Sequence, residues 1–313
     1  MERAAEWSLS CVDAGSPYCP CYLAESGECI ACSLLRGQDF CQCSWSGVCS
    51  YLNYRWAGGK IQGRCEELVE VTRETIAPDL IRFILAAKAE MVRELGNPGA
   101  FILLRSLELP PAATVPLSVV DAYGERVEVV VHVDGPKTRF LAHPEVRLAV
   151  KGPFYSGVQG LAFLKGLRSG LGVIVAGGVG QSAAVLVARQ LRRGGNRVLA
   201  CLAPGRAGVN YVADPLRRLG VEVTEVTTLR REGWPLFTRW LAEGPGVIFS
   251  AGPDALHERV AAWLHEQGRP IPLATAQNAI MCCGEGLCGS CVTFTAHRRR
   301  VPRCKAQYQE ERR

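Results

Sequence analysis

Four cysteines near the end of the chain have a spacing that suits an iron–sulfur cluster. They follow the pattern C-x4-C-x2-C-x12-C and are Cys283, Cys288, Cys291 and Cys304. This is the plant-type spacing, in which four thiolates hold a 2Fe-2S cluster. Structural zinc, which more often uses two C-x2-C pairs, and free thiols are the alternatives. Cys282 is left out of the set because the surrounding glycines are in register with Cys283.

The residues around these cysteines favour the same interpretation. Three of the thiolates must point towards one centre, so the loop that carries them has to fold back on itself. Gly284, Gly286 and Gly289 allow the positive φ angles and close backbone approach that such a loop needs. A four-thiolate cluster is anionic, and basic residues near it would offset its charge; they are Arg298, Arg299, Arg300, Arg303 and Lys305.

A second group of cysteines lies near the start of the chain. Its members are Cys19, Cys21, Cys29, Cys32, Cys41, Cys43 and Cys49. A segment this short and this rich in cysteine must be held together by metal or by disulfides. Metal is favoured, as an iron–sulfur cluster or as zinc, with disulfides or redox-active thiols as the alternative. The sequence therefore predicts a second metal site in residues 19–49, and only a cluster would extend an electron path.

The distribution of cysteine argues against a secreted protein. Fourteen of the 15 cysteines lie at the two ends of the chain, and only Cys201 lies between them. A secreted disulfide scaffold is short and cysteine-rich throughout. Met1–Ser10 has no apolar signal region, and no apolar run approaches the ~20 residues of a membrane span. We therefore predict a cytoplasmic protein without membrane insertion.

Composition and charge set further limits. The 313 residues are 48% hydrophobic, which excludes a disordered chain. The net charge is +6, and residues 297–313 carry seven Lys or Arg against two Glu, so nearly all the excess lies there. This tail is either a solvated surface or compensation for an anionic cofactor. It lacks the interleaved aromatic residues of a single-strand binder, so no nucleic acid is expected.

Residues 66–156 have the pattern of a small β-barrel. Short β-rich runs are bounded by Gly, Pro or Asn. The predicted strands are Leu68–Thr72, Ile81–Leu85, Ala100–Arg105, Leu117–Asp121 and Val127–Val133. One short helix is expected over Ala86–Leu95.

Residues 157–270 instead alternate strands and helices. The predicted strands are Gly172–Ala176, Arg197–Leu202, Val221–Val226 and Gly246–Ser250. The predicted helices that follow them are Gln181–Arg193, Tyr211–Leu219, Pro235–Glu243 and Asp254–Gln267. Such alternation predicts a parallel sheet with helices on its faces. With a Cys-rich segment at 1–65 and a cluster segment at 271–313, the fold class is an α+β multidomain protein.

A glycine turn follows the first strand of the α/β part. Gly177, Gly178 and Gly180 stand between a strand and a helix, where backbone N–H groups suit a diphosphate. The pattern G-G-x-G is not the usual dinucleotide fingerprint, so a tight structural turn is the alternative. Gly252 and Pro253 form a second turn at a strand end, where ligands of open α/β sheets bind. The five histidines show no metal or triad spacing.

The order of these parts resembles a known family. A barrel, a nucleotide-binding α/β domain and a C-terminal 2Fe-2S loop are together similar to the electron-transfer subunits of dihydroorotate dehydrogenase. These are ferredoxin–NADP reductase-like flavoproteins. The resemblance covers roughly residues 66–313 and leaves the N-terminal cysteines outside it.

The resemblance implies cofactor contacts at individual positions. The family places FAD in the barrel against an Arg-Pro-aliphatic-Ser segment, which Pro116, Leu117 and Ser118 match, with Val115 in place of the arginine. Lys137 and Thr138 lie where the family has a second FAD-contacting turn. Residues that match the nicotinamide-nucleotide site are Gly177, Gly178, Gly180 and Gly252, the last after Ala251, where relatives commonly have cysteine.

The resemblance also implies a function. Electrons would pass between NAD(P)H and a partner oxidoreductase subunit through FAD and the 2Fe-2S cluster, in a hetero-oligomer. No side chain need act as a catalytic acid or base. The alternatives are a flavin-free metal-binding interaction protein on the same fold and a stand-alone sulfide or polysulfide reductase.

Overall fold

The computed structural model describes residues 7–43, 45, 47–294 and 298–310. Residues 311–313, which include two arginines of the basic tail, lie outside the described residues. The strands, numbered in chain order, are β1 Trp7–Cys11, β2 Glu66–Val69, β3 Val71–Ala77, β4 Leu80–Ala86, β5 Phe101–Ser106, β6 Val115–Tyr123, β7 Arg126–His132, β8 Leu148–Phe154, β9 Val158–Gln159, β10 Leu171–Gly177, β11 Arg197–Ala203, β12 Glu222–Glu225, β13 Val247–Ala251, β14 Leu273–Ala276, β15 Val292–Phe294, β16 Arg300–Pro302 and β17 Ala306–Glu310.

The α-helices of the described residues are short. They are α1 Tyr22–Glu25, α2 Ser50–Trp56, α3 Ala89–Leu95, α4 Pro136–Ala142, α5 Leu161–Gly166, α6 Ala184–Arg193, α7 Ala213–Arg218, α8 Trp234–Ala242 and α9 Asp254–Glu266. Among the described residues, none of these helices is both long and apolar enough to cross a membrane.

A seven-stranded antiparallel sheet forms the first half of the fold. Its strand order is β2-β8-β5-β6-β7-β4-β3. The inward side chains of its central strands are fully buried, with Phe83, Ile102, Leu104 and Val129 all at 0% exposure. Strands β2 and β3 are the two ends of the order, so the predicted barrel is a curled sheet that stays open between them.

A six-stranded sheet forms the second half. Its order is β12-β11-β10-β13-β14-β9, parallel except for β9, which pairs antiparallel with β14. Strand β10 packs on both faces: Ile174 and Ala176 join one core, and Val173 and Val175 join the other. Helices cover both faces, as a buried parallel sheet requires. The predicted α+β class, with a curled sheet followed by an α/β sheet, is confirmed.

The helix predicted over Ala86–Leu95 begins only at Ala89, because Ala86 still belongs to β4. Two further predicted element bounds are wrong for identifiable reasons. The strand predicted over Leu68–Thr72 is two strands, because the chain changes partner at Glu70: β2 pairs with β8, and β3 pairs with β4. The helix predicted from Gln181 begins as a 3-10 turn over Gly178–Ala183, and α6 starts only at Ala184.

The two ends of the chain fold together. Strand β1 pairs antiparallel with β17 over five residues, and β15 forms a hairpin with β16. Cys21, Leu23 and Ile30 of the N-terminal segment form one apolar cluster with Val301 and Ala306. The N-terminal segment is therefore docked on the C-terminal cysteine region, a contact that the sequence did not predict.

A buried group of charges crosses the same junction. Lys305 Nζ donates to Asp13 Oδ2 at 2.6 Å and to Glu285 Oε2 at 2.9 Å. Arg64 donates to Asp13 Oδ1 at 2.8 Å and also contacts Glu285. All four side chains are at most 2% exposed. We call Asp13, Arg64, Glu285 and Lys305 the buried ionic cluster.

Candidate cofactor cavity and iron–sulfur site

A cavity of about 1500 Å³ lies between the two large sheets. Its walls come from β5, β6 and β7 on one side and from the ends of β10 and β13 on the other. Of the nine residues predicted to contact cofactors, eight line it: Pro116, Leu117, Ser118, Thr138, Gly177, Gly178, Gly180 and Gly252. This volume lies above the usual range for a single drug-sized ligand.

Strand β6 supplies the flavin-type segment. It pairs with β5 in the register Ser118 to Phe101 and Leu117 to Ile102. Side chains alternate along a strand, so Leu117 is buried in the core of the curled sheet while Pro116 is exposed and Ser118 is half-buried. Val115 also lines the cavity. An apolar side chain therefore stands at the position where the family has its arginine.

The two residues predicted in the second FAD-contacting turn, Lys137 and Thr138, have different roles. Thr138 lines the cavity, and its Oγ1 accepts hydrogen bonds from the backbone N–H groups of Asp134 and Gly135, each at 3.0 Å. These bonds fix the start of α4. Lys137 is not among the residues that line the cavity, and its Nζ instead donates to the Thr114 carbonyl at 2.8 Å. The structure thus places Thr138, but not Lys137, against the cavity.

The glycine turn after β10 is held close to the turn after β13. A Cβ at Gly180 would lie 2.7 Å from Gly252 N and 2.8 Å from the carbonyl carbon of Ala251. Gly178 has a φ of +57°, in the left-handed region. The two turns therefore approach through bare backbone, and their glycines line one end of the cavity.

The sequence alone does not identify the polar side chains at this end of the cavity. Asn278 lines the cavity, and its Nδ2 donates to the Gly252 carbonyl at 2.7 Å and to Asp254 Oδ1 at 3.0 Å. His257 Nδ1 lies 2.9 Å from Ser250 Oγ, and burial lowers the pKa of this histidine. These side chains brace the β13 turn. Single Asn and Ser residues in a loop and a strand give no spacing signal.

The four C-terminal thiols form two pairs. Cys283 influences the thiol of Cys288, and Cys304 influences the thiol of Cys291, so the members of each pair are close in space. Backbone N–H groups also donate to the sulfurs, from Glu285 to Cys283 Sγ at 3.3 Å and from Cys304 to Cys291 Sγ at 3.4 Å. Within the described residues, no three Cys, His, Asp or Glu side chains form a compact single-metal group.

The pKa values of the C-terminal thiols are shifted in different directions. Burial opposes ionisation of Cys288, but hydrogen bonds with Ser290 and Cys283 outweigh it and lower its pKa to about 7. The bond with Cys304 is the main cause that lowers the pKa of Cys291 to about 6, and it raises the pKa of Cys304. Each pair thus has one member that ionises near neutral pH, the form that binds metal.

This donor set fits a 2Fe-2S cluster. Such a cluster takes two thiolates on each of two irons, and the thiols are already arranged two by two. Gly284, Gly286 and Gly289 all have positive φ, between +67° and +82°. A Cβ at Gly284 would lie 2.2 Å from the Phe154 ring, so only glycine lets the loop reach this position.

The basic residues near these cysteines have specific partners. Arg299 donates to the Cys29 carbonyl at 3.1 Å, and Arg300 pairs with Glu28 at 2.5 Å. Lys305 belongs to the buried ionic cluster, where Lys151 also contacts Glu285 at 3.5 Å. Much of the predicted compensating charge therefore also joins the two ends of the chain.

The cavity and the cysteine site share a wall. Phe101 and Met281 line the cavity, and both belong to the apolar cluster that contains Cys291 and Cys304. Thr114, just before β6, adds a hydrogen bond from its Oγ1 to the Cys282 carbonyl at 2.9 Å. The cysteine loop is therefore attached to the same strands that form the flavin-type segment.

Comparison with known proteins gives the same picture. No family model matches the chain. It is 28% identical over 203 residues to the probable dihydroorotate dehydrogenase B (NAD(+)) electron transfer subunit of Methanopyrus kandleri, covering 62% of this chain and 73% of that one. It is 25% identical over 204 residues to the corresponding subunit of Clostridium acetobutylicum, covering 65% of this chain and 80% of that one.

Solved structures agree on the fold. The NADH-dependent reduced ferredoxin–NADP oxidoreductase matches with a TM-score of 0.60 at 22% identity, over 76% of this chain and 86% of that one. The ferredoxin reductase of carbazole 1,9a-dioxygenase matches with a TM-score of 0.51 at 19% identity, over 69% of each chain. The resemblance seen in the sequence is confirmed: the chain is similar in sequence to dihydroorotate dehydrogenase B electron transfer subunits and has a ferredoxin–NADP reductase-like fold.

Proposed function

We propose that the protein is an electron-transfer subunit that passes electrons between NAD(P)H and a partner oxidoreductase by way of FAD and a 2Fe-2S cluster. The observation that supports this most is the shared wall. Phe101 and Met281 contact both the cofactor cavity and the apolar cluster of Cys291 and Cys304. A flavin in the cavity would therefore lie one side-chain layer from the iron–sulfur site.

The chain's own residues bind and position the groups. When bound, FAD accepts two electrons as hydride and releases them singly, and the cluster carries one electron at a time. Pro116, Leu117, Ser118 and Thr138 would hold the flavin. The turns that contain Gly180 and Gly252 would hold the nicotinamide nucleotide. Cys283, Cys288, Cys291 and Cys304 would hold the cluster, and such a transfer needs no side chain as a catalytic acid or base.

We also propose a partner, a location and a division into segments for this protein. Proteins named as electron transfer subunits act with another subunit, so we propose a catalytic oxidoreductase partner in a hetero-oligomer and a cytoplasmic location. We also propose four segments: a Cys-rich segment at 1–65, an FAD-binding sheet at 66–156, an NAD(P)-binding domain at 157–270 and a cluster segment at 271–313.

Cofactor analysis of the anaerobically purified full chain tests this function. We expect bound FAD, with iron and sulfide at two or more of each per flavin, as a 2Fe-2S cluster requires. NADH or NADPH should bleach the flavin band and reduce a one-electron dye. Metal without flavin would instead indicate the interaction protein, and turnover of sulfide or polysulfide without a partner would indicate the stand-alone reductase. Either result contradicts the proposal.

Gly180→Ala should weaken nicotinamide-nucleotide binding. The added methyl group would meet the backbone of Ala251 and Gly252 at less than 3 Å, and backbone cannot move aside as a flexible side chain can. We expect a Kd about 10–100-fold higher, since displacements near 1 Å at such sites have effects of this size. Titration of the flavin absorbance with the nucleotide measures it.

Gly166→Ala is the matched control for this variant. Gly166 ends α5, and no heavy atom lies within 4 Å of a Cβ built there. Its nucleotide affinity should equal that of the wild type. An unchanged Kd in Gly180→Ala would place the nucleotide elsewhere.

A further inference from the structure

Four cysteines of the N-terminal segment line one enclosed pocket. They are Cys11, Cys19, Cys21 and Cys29, and all four are free thiols. Cys21 and Cys29 are each 8% exposed, and the rest of the wall combines apolar residues such as Leu23 and Ile30 with the polar side chains of Asp13 and Ser50. The set shares no residue with the four C-terminal cysteines.

The cysteines that line the pocket differ from those of the metal site that the sequence predicts in residues 19–49. Cys11 lies outside the predicted segment of residues 19–49 but lines the pocket. Cys41 and Cys43 do not line it; their sulfurs lie 3.5 Å apart at the surface. The structure therefore separates four ligand candidates, spaced C-x7-C-x-C-x7-C, from the remaining N-terminal cysteines.

Polar groups hold the pocket's thiols in place. Cys19 Sγ donates to Ser50 Oγ at 3.1 Å, and Ser50 is buried at 4% exposure. The Cys32 N–H donates to Cys29 Sγ at 3.4 Å. Backbone N–H groups that point at cysteine sulfurs are a feature of iron–sulfur sites, where they influence the potential. The same kind of bond is found at Cys283 and Cys291.

A buried positive charge lies between this pocket and the C-terminal thiols. Lys305 has 0% exposure and directly follows Cys304. It pairs with Asp13, which also lines the pocket, and burial outweighs the lysine's charge so that the pKa values of Cys11 and Cys21 are raised. The buried ionic cluster therefore connects the pocket, through Asp13, to the C-terminal cysteine region, through Lys305.

The two thiol sites are close in space, because strands β1 and β17 are paired. Cys11 is paired with Ala306 across the β1–β17 ladder, and the Val12 N–H donates to the Lys305 carbonyl at 3.0 Å. Opposite residues of an antiparallel pair have Cα atoms about 4.5–5.5 Å apart, and two residues of chain add at most about 7 Å. The Cα atoms of Cys11 and Cys304 are therefore within about 13 Å.

We propose that Cys11, Cys19, Cys21 and Cys29 bind a second iron–sulfur cluster that exchanges single electrons with the C-terminal cluster. In each exchange one cluster is oxidised as the other is reduced, and no bond is formed or broken. Zinc is disfavoured because the set lacks the two C-x2-C pairs that are common in structural zinc sites. The exchange rests on the proposed function; the binding of the cluster does not.

Iron content and EPR spectra of the full chain, purified anaerobically, test this proposal. The wild type should hold more iron and sulfide than one 2Fe-2S cluster accounts for, and the reduced protein should show a second EPR signal. Cys21→Ser and Cys19→Ser should lose the excess iron and the second signal but keep the C-terminal cluster. A serine at position 19 retains a hydroxyl for the bond to Ser50, so this variant guards against a folding defect.

Cys43→Ser is the control, because Cys43 lies outside the pocket. It should keep all the iron of the wild type. The proposal is overturned by a wild type with no more than two irons, by zinc in place of the excess iron, or by equal iron in Cys19→Ser and wild type. Loss of flavin reduction by NAD(P)H would contradict the proposed function instead, and the excess iron would still report on this site.

Discussion

Cys288→Ser is expected to abolish the absorbance and EPR signature of the C-terminal 2Fe-2S cluster while FAD stays bound. Cys288 is one of the four thiols that would hold the cluster, so its replacement leaves only three. Electron transfer from NAD(P)H to a one-electron acceptor should fall at least about 100-fold, since even outer-shell changes at metal sites cost about 10–100-fold. Flavin reduction by NAD(P)H should continue.

The control for this variant is the adjacent Cys282→Ser. Cys282 takes part through its backbone carbonyl, which accepts from Thr114, and a serine retains that group. Its spectrum should match that of the wild type. A normal 2Fe-2S signal in Cys288→Ser, or its loss in Cys282→Ser, would reject the ligand set.

Lys305→Met should destabilise the docking of the N-terminal segment by about 3–5 kcal/mol, the usual effect of removing one partner from a buried ion pair. Lys305 is fully buried and contacts both Asp13 and Glu285. Methionine has a similar volume, so the lost charge rather than a cavity causes the effect. The denaturation midpoint should fall, and protease should cleave within residues 7–65 of the native protein.

Arg217→Gln provides the comparison for Lys305→Met. Arg217 forms exposed ion pairs with Asp214 and Glu225, and such pairs contribute little. Its midpoint and its protease pattern should resemble those of the wild type. Equal stability of Lys305→Met and Arg217→Gln would show that the buried ionic cluster does not hold the two ends together.

Local patterns in the sequence were enough to predict the two sheets and the C-terminal ligand candidates. The alternation of apolar and polar residues in strands such as Val127–Val133 depends only on residues that are close in sequence. The same is true of the strand–helix order after residue 157. The C-x4-C-x2-C run is likewise local, and its glycines have the positive φ angles that were expected. Features set within about ten residues were therefore accessible.

Contacts between distant parts of the chain were not accessible in this way. The partner change at Glu70 depends on β8, about 80 residues later. The pairing of Cys11 with Ala306 joins the two ends, and no periodicity in either end specifies the other. Asn278 is defined by its distance to Gly252. The grouping of Cys11 with Cys19, Cys21 and Cys29 is of the same kind.

We propose that the large cavity and the C-terminal thiols form one electron path. Mixing the anaerobic holoprotein with NADH or NADPH, freezing it and recording its EPR spectrum tests this most directly. The proposed path predicts that a reduced 2Fe-2S signal appears as the flavin absorbance is bleached. A bleached flavin with a cluster that stays oxidised, although dithionite reduces it, would show that no such path joins the two sites.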